Sequence, residues 1–190
     1  MYDVHGRGGL CGKLLVSSPR MDDDFFKRSV ILILAHDRRA AMGVVINRVT
    51  QALDLRDLCK ELSIPVTENI PHAQVHCGGP VSLGTGIVVH SAGYHNKATI
   101  PITDHYRVTA CLDVLKDFEK GVGPQKSIFV LGYAVWGPGQ LEAELKNGDW
   151  IVSDPTEDLL FGDSPLFVWD LALKKSGFGR FAYTPVVGNA

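Results

Sequence analysis

The stretch "SVILILAHDRRAAMGVVINR" (residues 29–48) decides the architecture. Two near-continuous apolar runs, rich in Val and Ile, stand on either side of "DRRAA". Such runs suit strands buried on both faces, and the short polar connector suits a hairpin. Upstream, "KLLVSS" reads as a first strand. "PRMDDDFFKR" follows it as a polar loop or short helical turn whose Phe25 and Phe26 can pack inward.

Downstream, "LDLRDLCKEL" places Leu55, Leu58 and Leu62 at the three-and-four spacing of an amphipathic helix. "AQVHCGGPVSLGTGIVVHS" reads as a strand, a glycine-proline turn and the strand "GIVVHS", and "ITDHYRVT" reads as a further strand. A helix over "ACLDVLKDFEK" stops at Gly121. "SIFVLGYAVW" is a strong strand, and "GQLEAELKNG" is a helix with Gly148 as its stop. In "SPLFVWDLALKKSG", Ser164 suits the N-cap, Pro165 the first helical position, Lys174 and Lys175 the last turn, and Gly177 the end. Strands outnumber helices without a regular βαβ alternation. This predicts an α+β single domain with a large mixed β-sheet and packed helices, not a doubly wound nucleotide fold.

The 190 residues suit one domain, and the hydrophobic share of 45% and charged share of 21% are those of an ordinary globular chain. A net charge of −2 lacks the basic excess by which sequence-independent nucleic-acid binders release counterions. Basic residues gather in the first quarter and acidic ones later, which reads as solvated faces of opposite sign. Cys11, Cys59, Cys77 and Cys111 are widely spaced without a CxxC pair, so they read as free thiols in a reducing compartment. No signal peptide is visible, and runs such as "SVILILA" are much shorter than the roughly 20 residues that span a bilayer. The expectation is a cytoplasmic protein without membrane insertion.

Four blocks in order carry a resemblance: "SVILILAHDRRAAMGVVINRV", "HCGGPVSLGTGIVVHS", "LGYAVWGPGQLEAEL" and "DWIVSDPTEDLLF". Together they resemble the AlgH/YqgE family of bacterial proteins, from about Gly12 to the last helix. The resemblance implies one α+β domain over 12–190, preceded by a flexible N-terminal extension over 1–11. Members are often described as transcriptional regulators, but the resemblance transfers no catalytic set and no recognised DNA-binding motif. Members usually carry glycine where this chain has Ala41 and Val135, and proline where it has Val49. A Cβ at position 135 would narrow any surface at the neighbouring bend.

Chemistry-bearing patterns are sparse. A Walker A loop ending at Gly12–Lys13 fails at Arg7 and Leu14. "GPGQLE" follows a strand and opens a helix, the context in which backbone N–H groups hold an anion, but it lacks the third glycine of a dinucleotide fingerprint. His72, His76, Cys77, His90, His95 and His105 cluster in sequence without a metal-ligand spacing. Glu142 and Glu144, two apart on a helix, diverge. Asp22, Asp23 and Asp24 read as a solvated turn. No helix-turn-helix is visible, which argues against direct DNA binding. No catalytic residue, metal ligand or cofactor is assigned.

Tyr133, Trp136 and Gln140, gathered at a bend shaped by Gly137 and Gly139, are the leading candidates for contact with an unknown protein or small molecule. The family-matching positions His36, Asn47 and His90 complete the set. The preferred reading is a non-enzymatic binding or regulatory protein that presents a surface near Trp136. One alternative is an enzyme on a small anionic substrate, which requires a pocket joining the bend to His36 or His90. The other is a regulator acting through nucleic acid, which requires a continuous basic patch. On the preferred reading Trp136→Ala keeps the fold and loses the partner; unfolding of that variant would mark Trp136 as core.

Overall fold

The computed structural model describes residues 9–109, 112–162 and 164–177. In chain order the elements are β1 (Leu14–Ser17), β2 (Val30–His36), β3 (Ala41–Val45), β4 (Val49–Asp54) and α1 (Leu55–Glu61). Next come β5 (Gln74–Cys77), β6 (Val81–Ser91), β7 (Thr99–Pro101), β8 (Tyr106–Thr109) and α2 (Asp113–Glu119). The chain continues with β9 (Ser127–Trp136), α3 (Gln140–Asn147), β10 (Trp150–Ser153), α4 (Glu157–Phe161) and α5 (Pro165–Lys175). The expected extension over 1–11 lies, for residues 1–8, outside the described residues, as do Cys111 and residues 178–190.

The hairpin forms where the sequence places it. β2 pairs with β3 antiparallel from Ile31↔Val45 to His36↔Ala41. Its connector is closed by Asp37, whose Oδ1 accepts from the Arg39 and Ala40 N–H groups at 2.7 and 3.1 Å. Val30, Ile31, Leu32 and Ile33 are all 0% exposed, so this strand is covered on both faces. Each such side chain contributes about 1.5–3 kcal/mol on burial.

One ten-stranded sheet runs β10-β1-β2-β3-β9-β6-β8-β7, with β5 paired to both β4 and β9. The β5–β9 pair is parallel and the others are antiparallel, so the sheet is mixed. β9 is the branch point. β3 takes its residues Ala134–Trp136, whereas β5 takes Phe129–Leu131. Gly78 joins the branches: it donates to Leu131 O and accepts from Val45 N, both at 2.8 Å.

Three apolar clusters fill the space between sheet and helices. α4 and α5 cover Val30, Leu32, Val44, Val89 and Val130 on one face. α1 and α2 cover Val75, Val88 and Phe129. α3 supplies Leu141 to Ile31, Ile33, Val45, Ala134 and Trp136. Along β9, Val130 and Tyr133 therefore share one cluster although they are three residues apart, which breaks the two-residue period of a strand. The slip falls at Gly132, where φ is +75°. There the chain needs a left-handed residue, and only glycine adopts it without strain.

Several elements differ from the sequence reading. β4, β7, β10 and α4 are present without having been anticipated, because each has six residues or fewer and shows no resolved periodicity. "ITDHYRVT" contributes only β8, since Ile102 and Thr103 N–H groups both turn back to Tyr106 O and Thr103 Oγ1 accepts from His105 N. β6 starts at Val81, earlier than "GIVVHS", and the four residues between Val81 and Gly86 oppose the single Gly132 between Tyr133 and Leu131 of β9. Ser164 stands at the N-cap of α5, but its side chain makes no cap bond. Trp169 Nε1 instead ties α5 to β1 through Ser17 O at 2.8 Å. Among the described residues no helix is long and apolar enough to cross a membrane.

A Cβ at Gly79 would lie 2.0 Å from the Tyr133 carbonyl carbon, whereas one at Gly84 meets nothing within 4 Å. Gly79→Ala is therefore expected to cost at least about 3 kcal/mol in urea unfolding, and Gly84→Ala less than about 1 kcal/mol in either direction.

Candidate functional site

The bend after β9 is built from α3's first turn inward. Gly139 occupies the N-cap at φ +73°, and Gln140 Oε1 accepts the Gly137 N–H at 3.0 Å. One turn on, Glu144 reaches back beneath the bend. Its Oε2 accepts from Trp136 Nε1 at 2.8 Å and from Trp150 Nε1 at 2.7 Å, and its Oε1 accepts from Gln140 Nε2 at 2.9 Å. The two indoles meet edge to face with centroids 6.1 Å apart, and Phe26 closes on Trp150 at 5.7 Å. Trp136 is 3% exposed. The indole is thus core, and the corner presents glycine backbone and Gln140 to solvent instead of an aromatic ring.

His36, at the end of β2, joins the same corner from the other side. Leu10 N–H donates to its Nδ1 at 3.0 Å, so the ring proton sits on Nε2, which donates to Glu142 Oε1 at 2.8 Å. The Glu142 backbone N–H and the His36 ring hold the Glu142 carboxyl below its usual value of 4.5. The start of α3, where the glycine pattern suggested an anion position, thus carries a carboxylate of its own in the first turn, that of Glu142. Glu142 and Glu144 do diverge, as their spacing implies, but each has a distinct partner set.

The remaining candidates lie elsewhere. Asn47 fastens the other end of the hairpin: Oδ1 accepts from Val30 N at 2.8 Å and Nδ2 donates to Arg28 O at 2.9 Å. His90 is 0% exposed, with its nitrogens 2.9 Å from Ser91 O and 2.9 Å from Thr109 Oγ1. Burial holds its pKa below 6.5, against the Ser91 carbonyl and with the Arg107 charge. His76 is likewise depressed by burial, while its Nδ1–H donates to Ile46 O at 2.7 Å. Among the described residues no three His, Cys, Asp or Glu side chains come together as a metal site. Four of the early cations have partners: Arg28 pairs with Asp170, Arg39 with Asp37 and Lys13 with Asp154, and Arg48 donates to Phe25 O.

Tyr133 belongs to a different surface from Trp136, since alternation sends them to opposite faces of β9. Its hydroxyl lies 3.3 Å from Ser82 Oγ, in the excursion of β6. Around this pair stand Val81, Leu83 and Val135, exposed by 37%, 61% and 46%. Val135 points outward, so its Cβ leaves the bend itself unobstructed. Sequence reading missed Glu144 and Trp150 as corner residues and Leu83 as a surface one. The clue to the last was a leucine between Ser82 and Gly84, in a segment too glycine-rich for a continuous strand.

Comparison with known proteins is consistent across the chain. The AlgH-like family model matches residues 14–180. A UPF0301 protein of Paracoccus denitrificans (strain Pd 1222) is 39% identical over 184 residues, covering 95% of this chain and 97% of the relative. One from Rhodopseudomonas palustris (strain HaA2) is 42% identical over 189 residues, covering 95% and 87%. The solution structure of AlgH from Pseudomonas aeruginosa superposes with a TM-score of 0.75 at 31% identity, covering 95% of this chain and 96% of that one. The chain belongs to the AlgH-like family.

Glu144→Ala leaves two buried indole N–H groups without an acceptor, and is expected to cost roughly 2–5 kcal/mol with a shift in tryptophan emission. Trp136→Ala is expected to cost about 3–5 kcal/mol in urea unfolding, in place of the intact fold anticipated for an exposed indole. The depressed His76 and His90 values imply a pH dependence. Below pH 6.5 the unfolded chain binds more protons at these sites than the folded one, so stability falls as pH drops through and beneath that value. Urea midpoints at neutral and mildly acidic pH read this directly, and His76→Gln should weaken the dependence.

Proposed function

We propose that this AlgH-like protein is a non-enzymatic binding or regulatory protein of the cytoplasm, whose contact surface is the apolar patch around Tyr133. The supporting observation is how the corner's polar groups are used. Glu144 is engaged by two indoles and an amide, Glu142 by His36, and the Gly137 N–H by Gln140. A catalytic centre needs a nucleophile or base with an atom free to meet substrate; here both His36 nitrogens are occupied, by the Leu10 N–H and by Glu142, and both Glu144 oxygens by indole and amide N–H groups, with no nucleophile among the partners. The same bonds make the corner rigid, which suits a platform for recognition.

On the opposite face of β9, Val81, Leu83 and Val135 place apolar side chains in solvent around a tyrosine, a residue enriched at protein interfaces. A protein partner offering an apolar knob fits it better than a phosphate-bearing one, because none of these side chains carries a positive charge. The reading as an enzyme on a small anion has less support, since His36 and His90 have separate surroundings: one bonds Glu142 on the corner, the other is buried beside Thr109. Regulation through nucleic acid has less again, since Arg28 and Arg39 are each neutralised by a carboxylate, Asp170 and Asp37.

Leu83→Asp and Val135→Asp change exposed positions and should leave thermal stability nearly unchanged. Each is expected to abolish capture of the partner retained by the wild-type protein on an affinity column. Unchanged capture by both variants would remove this surface from consideration, and turnover of a small molecule by the purified chain would overturn the non-enzymatic reading.

A further inference from the structure

A crevice with a volume of about 330 Å³ opens away from the corner, where the loop before β5 faces the loop between α2 and β9. Its size falls at the lower end of small-molecule sites. The walls are fixed by the protein itself. Thr67 Oγ1 and Asn69 Nδ2 both donate to Glu119 O, at 3.2 and 3.0 Å. Gly123 packs so closely on the Phe118 ring that a Cβ there would lie 2.4 Å from it.

The lining divides into two kinds of group. Phe118, Pro71 and Pro124 offer apolar, flat surfaces, while Asn69, Gln125 and Ser127 offer neutral hydrogen-bonding groups. None of the residues that line the crevice carries an ionisable side chain. Asn69 and Gln125 are exposed at its mouth and Ser127 is half-buried, and among the described residues no protein group bonds the Gln125 amide, the Ser127 hydroxyl or the Asn69 carbonyl oxygen, which leaves them open to an incoming ligand. We propose that this crevice is a binding site for a small, uncharged, planar molecule bearing both a hydrogen-bond donor and an acceptor, of the kind represented by a heteroaromatic amide. A charged ligand would find no counter-charge among the lining groups to offset the hydration it gives up. A purely aliphatic one would leave the amide and hydroxyl groups unmatched. The site is separate from the Tyr133 patch, so either can fail without the other.

The experiment uses nicotinamide and nicotinate, which share a ring and differ in charge, followed by amide NMR shifts of the full chain. Nicotinamide is expected to perturb Ala73, Phe118 and Ser127 selectively and saturably in the millimolar range, with nicotinate weaker by at least about ten-fold. Gln125→Ala and Ser127→Ala should each weaken nicotinamide by about five-fold at unchanged thermal stability. Absence of localised shifts, equal binding of the two probes, or undiminished binding by both variants would overturn the assignment.

Discussion

The close approach of Gly78 and Gly79 to the backbone of Gly132 and Tyr133 is the constraint on which the other elements depend. A Cβ at Gly78 would lie 2.5 Å from Gly132 O, and one at Gly132 would lie 2.6 Å from Gly79 O. Three positions without side chains let the end of β5, the start of β6 and the middle of β9 cross at backbone distance. The crossing lets β9 exchange β5 for β3 along the same edge, with Gly78 bonded to both sides of the gap. It also shifts the alternation of β9. Without that shift Trp136 would join the face covered by α4 and α5, and α3 would have no aromatic wall to pack against.

Once Trp136 is on the α3 side, a polar indole N–H is carried into a buried place and must find an acceptor. Glu144 provides it for Trp136 and Trp150 together, with Gln140 as a further donor. The carboxylate thus binds β9, α3 and β10 at one point. His36 and Glu142 add a second tie between the hairpin and the same helix. The corner works as a joint, and the accessible apolar surface lies on the opposite side of β9.

Much of this architecture was legible in the sequence because periodicity and turn chemistry are local. The hairpin of residues 29–48, the glycine stops of α2 and α3 and the start of α5 at Pro165 follow from such patterns. The phase shift at Gly132 was not legible, because "SIFVLGYAVW" is apolar at nearly every position and either phase looks alike. β10 was hidden for another reason: four residues gain strand conformation only from pairing with β1. At the site, the closeness of Tyr133, Trp136 and Gln140 in sequence concealed their separation onto two faces of β9. The spacing of Glu144 from Glu142 says only that the two diverge, and it is the tertiary approach of Trp136 and Trp150 that gives Glu144 its role.

The central claim is that the polar groups of the corner are closed on themselves. Hydrogen exchange of the Trp136 and Trp150 indole protons tests it most directly. We expect both to exchange only through global unfolding, with the same urea dependence as the β2 and β3 amides. Exchange of either indole at the rate of a solvent-exposed tryptophan would contradict the account.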